Sequence, residues 1–242
     1  MNMNEKHLSS QFDSDLNGVS SQLMEMGGLV EAQIQRALSA LANFSVSEIN
    51  DVLDSEERVD RMEIEIDHSI TTVIARRQPA ARDLRLLLAI SKITANLERA
   101  GDEAYKMGKR VKSLVESGET RQMPIGDLRL AADLAANLIH RALDAFARLD
   151  VTAAIAIYRE DDLIDREFKG FTRKLITYMM EDSHTISSSL DLLFIAKAIE
   201  RIGDHAKNIS EYIIYIVHGM DVRHSKLRGI EAILPPPEAS PS

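Results

Sequence analysis

The stretches ERAGDEA at residues 98–104 and ERIGDHA at residues 200–206 decide the fold, because one chain carries the same short pattern twice. They lie 102 positions apart and agree at five of seven places. On an α-helix, residues four positions apart lie on the same face. Glu98 with Asp102, and Glu200 with Asp204, are therefore each expected to present a pair of carboxylates on one helix face.

Both motifs lie within long stretches of helical periodicity. Apolar residues recur at alternating spacings of four and three from Leu86 to Leu114, and a matching stripe runs from Leu192 to Ile216. A stripe of this kind predicts a long helix that packs along its length against a partner, and here the two stripes are expected to be partners. Earlier segments show the same periodicity without strand-like alternation, so the sequence predicts an all-α protein.

The repeat extends beyond the two motifs. ALSALANFSVSEI at 37–49 aligns with ALDAFARLDVTAA at 142–154 at an offset of 105. The same offset aligns the acidic residues of the expected second helix in each half, Glu56 with Asp161 and Asp60 with Asp165. The offset then falls to 102, which requires a shorter loop in the second half. We therefore expect a tandem duplication of a three-helix bundle, with six long antiparallel helices.

The expected boundaries follow from turn residues and from loss of periodicity. The first repeat is expected at residues 12–117 and the second at 125–219, separated by a segment with Gly118, Pro124 and Gly126. Residues 220–242 end in LPPPEASPS and are expected to form a disordered tail.

Local signals refine the first half. SVSE at 45–48 predicts a capping box, in which Ser45 accepts from the backbone of Glu48 and the Glu48 carboxylate reaches back. Pro79 predicts that the second helix ends at Arg77 or Gln78, and it suits the first turn of the next helix. Gly101 and Gly203 are costly inside helices. Each therefore indicates either a closely packed neighbouring helix or room beside a bound ion.

The repeated carboxylates are candidate metal ligands. In each half, two acidic pairs on consecutive helices are expected on the flank of the bundle, away from the apolar seams. Four adjacent carboxylates repel one another unless a cation neutralises them. The candidate ligands are Glu56, Asp60, Glu98 and Asp102 in the first half and Asp161, Asp165, Glu200 and Asp204 in the second. Oxygen ligands suit Mg²⁺, Mn²⁺, iron or Zn²⁺ without choosing among them. The alternative is ordinary solvated surface charge.

Composition excludes several classes of function. The chain of 242 residues has a net charge of −9, which argues against nucleic acid as its main partner. It contains no cysteine, so disulfides and thiolate metal sites are excluded. No apolar run approaches the ~18–20 residues that span a bilayer, and the first residues lack the features of a signal peptide. A cytoplasmic location is therefore expected.

Three further patterns give weaker indications. EIDH at 65–68 and EDSH at 181–184 match the Glu-x-x-His of ferritin-like iron centres, but they occupy unrelated places in the two halves. Arginines surround Pro79 at a helix start, where they would serve an anion site, surface solubility or a protein contact equally well. These are Arg76, Arg77, Arg82 and Arg85. No glycine-rich phosphate loop or Ser–His–acid arrangement is present, so no enzyme is expected.

In combination, these features resemble the PhoU family over residues 12–219. The resemblance is carried by the two three-helix repeats, the acidic pairs on their second helices, the two ERxGDxA motifs and RQPAARDLR at 77–85. The ERxGDxA pair is its most distinctive part. The second half lacks a counterpart of RQPAARDLR, so whatever that segment contacts is expected to involve one half only.

The resemblance implies an all-helical, dimeric protein that binds metal ions on its two carboxylate sites. It further implies a negative regulator of the phosphate-starvation response, which couples the ATPase subunit of the phosphate ABC transporter to a membrane sensor histidine kinase and modulates phosphate uptake. Two alternatives remain at this point: a carboxylate-bridged metal-dependent hydrolase or oxidase, and a helical adaptor that binds no metal.

Overall fold

The computed structural model describes residues 3–118 and 124–223, with side chains from residue 11 onward. Within these residues the chain forms six long α-helices and no strand. The helices are α1 (Met3–Asn43), α2 (Val46–Arg77), α3 (Ala81–Ser117), α4 (Arg129–Arg148), α5 (Val151–Glu181) and α6 (Ile186–His218). Short 3₁₀ segments, Ile125–Leu128 and Ser183–Thr185, precede α4 and α6. The all-α prediction is confirmed.

The start and end of α2 follow its local sequence, with one difference from the prediction. The Ser45 hydroxyl accepts a hydrogen bond of 3.4 Å from the Glu48 backbone N–H. The Glu48 carboxylate does not reach back, because it accepts a hydrogen bond of 2.6 Å from the Ser39 hydroxyl on α1. Only half of the capping box is therefore formed. At its other end α2 stops at Arg77, as predicted, with Gln78 in the left-handed conformation.

Pro79 lies between α2 and α3 and is not in the first turn of α3, contrary to the prediction. Helix α3 begins at Ala81, and Ala80 has the extended backbone of an N-cap residue. With two residues after Gln78 outside either helix, the connection is short, and α3 returns alongside α2. The end of α3 is formed by Gly118, whose φ of 72° is suited to glycine.

The six helices form two three-helix groups that share one core. Helices α1, α2 and α3 pack against one another, as do α4, α5 and α6. The two groups meet mainly through α3 and α6, which make the most extensive helix contact in the chain, and also through α1 and α4. The pairing of the Leu86–Leu114 and Leu192–Ile216 stripes is thus confirmed. It places α2, α3, α6 and α5 side by side in one row, with α1 and α4 behind it.

Two glycines show the duplication at atomic detail. A Cβ added to Gly101 would lie 2.9 Å from Gln33 Oε1 on α1 and 3.5 Å from Val59 Cγ1 on α2, and one added to Gly203 would lie 2.6 Å from Ile164 Cδ1. Val59 and Ile164 are related by the offset of 105, so the same third-helix glycine approaches the same second-helix position in both halves. Close packing explains both glycines, but through different neighbours: Ile164 of α5 leaves no room for a Cβ at Gly203, whereas at Gly101 the tightest neighbour is Gln33 of α1. The Cβ on Gly203 would also lie 3.3 Å from Asp161 Oδ1.

The predicted tail falls mostly outside the described residues, which end at residue 223. Within residues 220–223, Val222 is buried and belongs to the core cluster. No helix among the described residues is long and apolar enough to cross a membrane.

Candidate metal centres

The first candidate site lies between α2 and α3, and we name it the first acidic cluster: Glu56, Asp60, Glu63, Glu98 and Asp102. The pKa of Glu98 is raised to about 7, mainly by burial and also by the negative charges of the other four carboxylates. Burial likewise raises the pKa of Glu56, with contributions from Asp60 and Asp102. The structure therefore brings all four predicted residues of the first half within range of one another's charge, and it adds Glu63.

The second candidate site lies between α5 and α6, and we name it the second acidic cluster: Asp161, Asp165, Glu200 and Asp204. Burial raises the pKa of Asp204 to about 6, and the other three carboxylates act in the same direction. All four predicted residues of the second half are thus near one another. The two clusters occupy equivalent places in the duplicated bundle.

Asp161 does not lie on an exposed flank, contrary to the expectation from helical periodicity. Its exposed fraction is only 2%. Burial is the main cause that raises its pKa, and the Lys207 ammonium opposes that effect. The helical-wheel argument placed the side chain relative to the apolar seam of α5 alone, whereas α6 passes close enough at Gly203 to cover it.

Lysine side chains act as counter-ions within both clusters. In the first, the Lys106 ammonium lies 2.7 Å from Asp102 Oδ2 and 3.1 Å from Glu103 Oε1. In the second, Lys207 lies 2.8 Å from Asp161 Oδ2 and Lys197 forms an ion pair with Glu200. Of these pairs only Lys207–Asp161 joins two helices, whereas Lys106–Asp102 and Lys197–Glu200 lie within α3 and α6 at spacings of four and three residues. The repeat of carboxylates did not single out Lys197 or Lys207.

The chemistry of the donor set fits a hard metal cation. Every candidate ligand is a carboxylate, the ligand type that hard cations prefer. Lysine ammonium groups already form ion pairs with Asp102, Asp161 and Glu200. Across residues 11–118 and 124–223, however, no three acidic or histidine side chains converge closely enough to hold one ion. Metal coordination therefore requires the carboxylate side chains to rotate toward a common point.

Gln33 on α1 is a site residue that the sequence analysis missed. It is fully buried, and its Nε2 donates hydrogen bonds to Glu56 Oε2 at 3.0 Å and to the Val52 carbonyl at 3.3 Å. Its Oε1 is buried without a hydrogen-bond partner. A polar residue three positions after Val30, within the apolar stripe of α1, is the signal that would have identified it. Its counterpart at the 105 offset is Leu138, so this support belongs to the first cluster alone.

The weaker candidates do not join either cluster. Glu65 and His68 are exposed on α2, and Glu181 and His184 are exposed beside the α5–α6 connection. The arginines near Pro79 separate in space. Arg77 donates to Asp15 Oδ2 on α1 at 2.9 Å, whereas the Arg85 guanidinium lies close to Gly219 at the end of α6.

A polar network crosses the contact between α3 and α6. Asn96 on α3 is buried, and its Oδ1 accepts hydrogen bonds from His205 Nδ1 at 3.1 Å and from Asn208 Nδ2 at 3.0 Å. Glu103, also buried on α3, accepts a hydrogen bond of 2.9 Å from Arg201 on α6. Polar side chains thus join the two halves between their acidic clusters.

Comparison with known proteins decides the family. A family model described as the PhoU domain matches residues 23–111 and 128–213. The chain is 49% identical over 223 residues to a PhoU homolog from a Burkholderia species, which covers 92% of this chain and 95% of the relative. It belongs to the PhoU family. That relative is named as an accessory protein of the phosphate-specific transport system, as is the Escherichia coli PhoU, 44% identical over 93% of this chain and 92% of its own.

Two solved PhoU structures have the same fold. The crystal structure of PhoU from Pseudomonas aeruginosa superposes with a TM-score of 0.84 at 42% identity, covering 86% of this chain and all of that one. The phosphate transport system regulatory protein PhoU from Streptococcus pneumoniae gives 0.81 at 26% identity, covering 87% and 99%. The duplicated three-helix architecture is therefore that of PhoU proteins.

The clusters of this PhoU protein predict a pH-dependent stability when metal is absent. A carboxyl group whose folded pKa is raised binds more protons in the folded state, so stability falls as pH rises from its unfolded value toward its folded value. For Glu98 the window is from 4.5 to about 7, and for Asp204 from 3.8 to about 6. After discounting for solvent exposure we expect a loss of about 1 kcal/mol.

Urea unfolding of chelator-treated protein at several pH values between 4.5 and 8 measures this effect. The variant Glu98→Gln/Asp204→Asn carries no titrating group at either position, so its stability is expected to fall less over the same range. Parallel pH profiles for the two proteins would contradict the prediction.

Proposed function

We propose that this protein is a metal-binding accessory protein of the phosphate-specific transport system and a negative regulator of the phosphate-starvation response. The observation that carries the metal-binding part is the presence of an acidic cluster at the same place in both halves of the duplicated bundle. The transport-system part rests on membership of the PhoU family, whose relatives are named as accessory proteins of phosphate-specific transport.

In this proposal the protein is a cytoplasmic homodimer that acts as an adaptor. It docks on the ATPase subunit of the phosphate ABC transporter and on a membrane sensor histidine kinase, and it keeps the response off when phosphate is plentiful. Large apolar side chains remain exposed on three helices: Ile64 on α2, Met180 on α5 and Phe194 on α6.

The carboxylates of both clusters would hold the ions. Glu56 and Asp60 project from α2 toward Glu98 and Asp102 on α3, so ligands from two helices would meet at one centre. A bound ion supplies positive charge that offsets the repulsion among these groups. Gln33 orients Glu56 through its Nε2 hydrogen bond, which holds one ligand in place before any ion binds. Joining α2 to α3 in this way would stiffen the surface used for docking.

The first test is elemental analysis of natively purified protein. We expect iron, manganese, zinc or magnesium in stoichiometric amounts, and we expect that metal to be lost when Glu98, Asp102, Glu200 and Asp204 are changed to alanine. A matched control removes the same charge at four exposed acidic residues outside the clusters: Asp13, Glu116, Asp133 and Glu181. The control is expected to keep its metal.

Partner binding provides the second readout. The variant Glu98→Ala/Asp102→Ala should bind the transporter ATPase subunit more weakly than the wild type, while its thermal unfolding shows that the core is intact. A variant that folds, loses its metal and still binds the ATPase subunit like the wild type would separate metal binding from docking. Absence of metal from the native protein, even after incubation with each of these ions, would refute the metal-binding part.

A further inference from the structure

The two acidic clusters are equivalent in position but differ in the positive charge that the chain places beside them. The first cluster has five carboxylates, with the Lys106 ammonium paired to Asp102 and the Arg99 charge acting on Glu63. The second has four carboxylates and three lysines: Lys197 and Lys207 form close ion pairs with Glu200 and Asp161, and Lys169 lies 4.0 Å from Asp165 Oδ2. The second cluster therefore carries much less uncompensated negative charge than the first.

Lys207 is held by two groups of α5. Its ammonium lies 2.8 Å from Asp161 Oδ2 and 4.8 Å from the centre of the Tyr158 ring. A cation above an aromatic ring and beside a carboxylate is stabilised by both. Because Asp161 is almost fully buried, Lys207 is the cation that neutralises a carboxylate with little access to solvent.

Lys197 lies ten residues before Lys207 on α6, about three helical turns away, and is held in the same manner. It pairs with Glu200, whose side chain is only 12% exposed, and its ammonium lies 5.3 Å from the centre of the Phe168 ring. Both lysines belong to α6 and both aromatic rings to α5. The second cluster thus contains two repeated units, each made of a lysine, a carboxylate and an aromatic ring.

The first half lacks both units. At the offsets that relate the halves, Lys197 and Phe168 correspond to Ala95 and Glu63, and Lys207 and Tyr158 correspond to Tyr105 and Leu53. A lysine and an aromatic ring in one half are therefore replaced by an alanine and an additional carboxylate in the other. Glu63 adds a negative charge to the first acidic cluster, and Lys197 adds a positive charge to the second. The exchange therefore increases the difference in net charge between the two clusters.

We infer that Lys197 and Lys207 are built-in counter-ions which a metal cation must displace from the second acidic cluster, so that the first cluster binds divalent metal more tightly and fills first. The inference rests on the proposed metal-binding function and deepens it. It makes the protein a two-step metal sensor, in which one site is open to a cation and the other is occupied by the chain's own ammonium groups until metal is abundant.

Titration of chelator-treated protein with MnCl₂ tests this directly. Calorimetry gives the affinities, and electron paramagnetic resonance of free Mn²⁺ counts the ions bound. The wild type is expected to bind Mn²⁺ in two phases, with the first at least about tenfold tighter, since each nearby unit charge changes affinity several-fold. The variant Glu98→Ala/Asp102→Ala should lose the tight phase and keep the weak one, which assigns the phases to the clusters.

The deciding variant is Lys197→Met/Lys207→Met, which removes both ammonium groups and keeps most of the side-chain length. We expect its weak phase to tighten at least about tenfold, approaching the affinity of the first phase. A matched control, Lys92→Met/Lys174→Met, removes the same charge at exposed positions outside both clusters. Its two phases should stay as in the wild type.

A reciprocal variant keeps the test decisive if loss of Lys207 prevents folding. Ala95→Lys/Glu63→Phe introduces the Lys197–Phe168 unit into the first half, and it should weaken the tight phase at least about tenfold. Two wild-type phases of equal affinity overturn this inference, as does a reciprocal variant with an unchanged tight phase. If no protein binds Mn²⁺ or any of the other candidate ions, the proposed metal-binding function fails, and this inference fails with it.

Discussion

Replacing Leu97 with alanine is expected to lower the free energy of unfolding by about 3 kcal/mol. Leu97 lies at the middle of the α3 seam, and its exposed fraction is 0%. It is surrounded by the shared core of both halves, so truncation removes buried apolar atoms and leaves a cavity that neighbouring helices fill only in part. Urea unfolding followed by circular dichroism at 222 nm measures the loss.

Leu88→Ala is the matched control, because it makes the same change on the same helix. Leu88 is 46% exposed, so the expected loss is no more than about 1 kcal/mol. Equal losses for the two variants would contradict the assignment of Leu97 to the core. A single unfolding transition in the Leu97→Ala protein would further show that the two halves unfold together, as their contact through α3 and α6 predicts.

Replacing Asn96 with alanine is the second change with a large expected effect, about 2 to 3 kcal/mol of stability. Asn96 is buried where α3 meets α6, and its Oδ1 accepts from both His205 and Asn208. Burial lowers the pKa of His205 to about 4, so near neutral pH its Nδ1 carries a proton that Asn96 accepts as the ring stays neutral. Without that acceptor, two donors at the interface lose their partner.

Asn43→Ala is the control for this prediction. Asn43 is exposed at the end of α1 and donates only to Ser39 of the same helix, so its replacement should change stability by no more than about 0.5 kcal/mol. If Asn96→Ala were equally mild, water would be replacing the lost acceptor, and the α3–α6 network would contribute little to holding the halves together. Double-mutant cycles with His205→Leu measure the coupling directly.

The pattern of the candidate sites could largely be read from the chain, but their surroundings could not. Glu98, Asp102 and their counterparts could be identified from the repeated motif. Residues four positions apart lie on the same face of any helix, whatever packs against it. Glu63 was missed because it has no acidic counterpart in the second half, where Phe168 occupies the equivalent place. Gln33 was missed because its role depends on contact with another helix.

Local capping signals gave a mixed result for a similar reason. The end of α2 follows from Pro79, which disfavours the helical conformation at the residue before it, a restriction between neighbouring residues. The Glu48 carboxylate was expected to close the capping box, but it accepts a hydrogen bond from Ser39 of α1 instead. A side chain that has both a local and a tertiary partner available cannot be assigned from the sequence of one segment.

The sequence by itself determined the helical class, the duplication and the approximate placement of the carboxylates. Each of these depends on periodicity and short-range sterics, which act within a helix or between copies of one pattern. Only the tertiary structure decided that Asp161 is buried, that Lys207 on α6 neutralises it, and that polar side chains join α3 to α6. These features depend on which side chains of different helices come within a few ångströms, and that distance is set by the packing of the whole core.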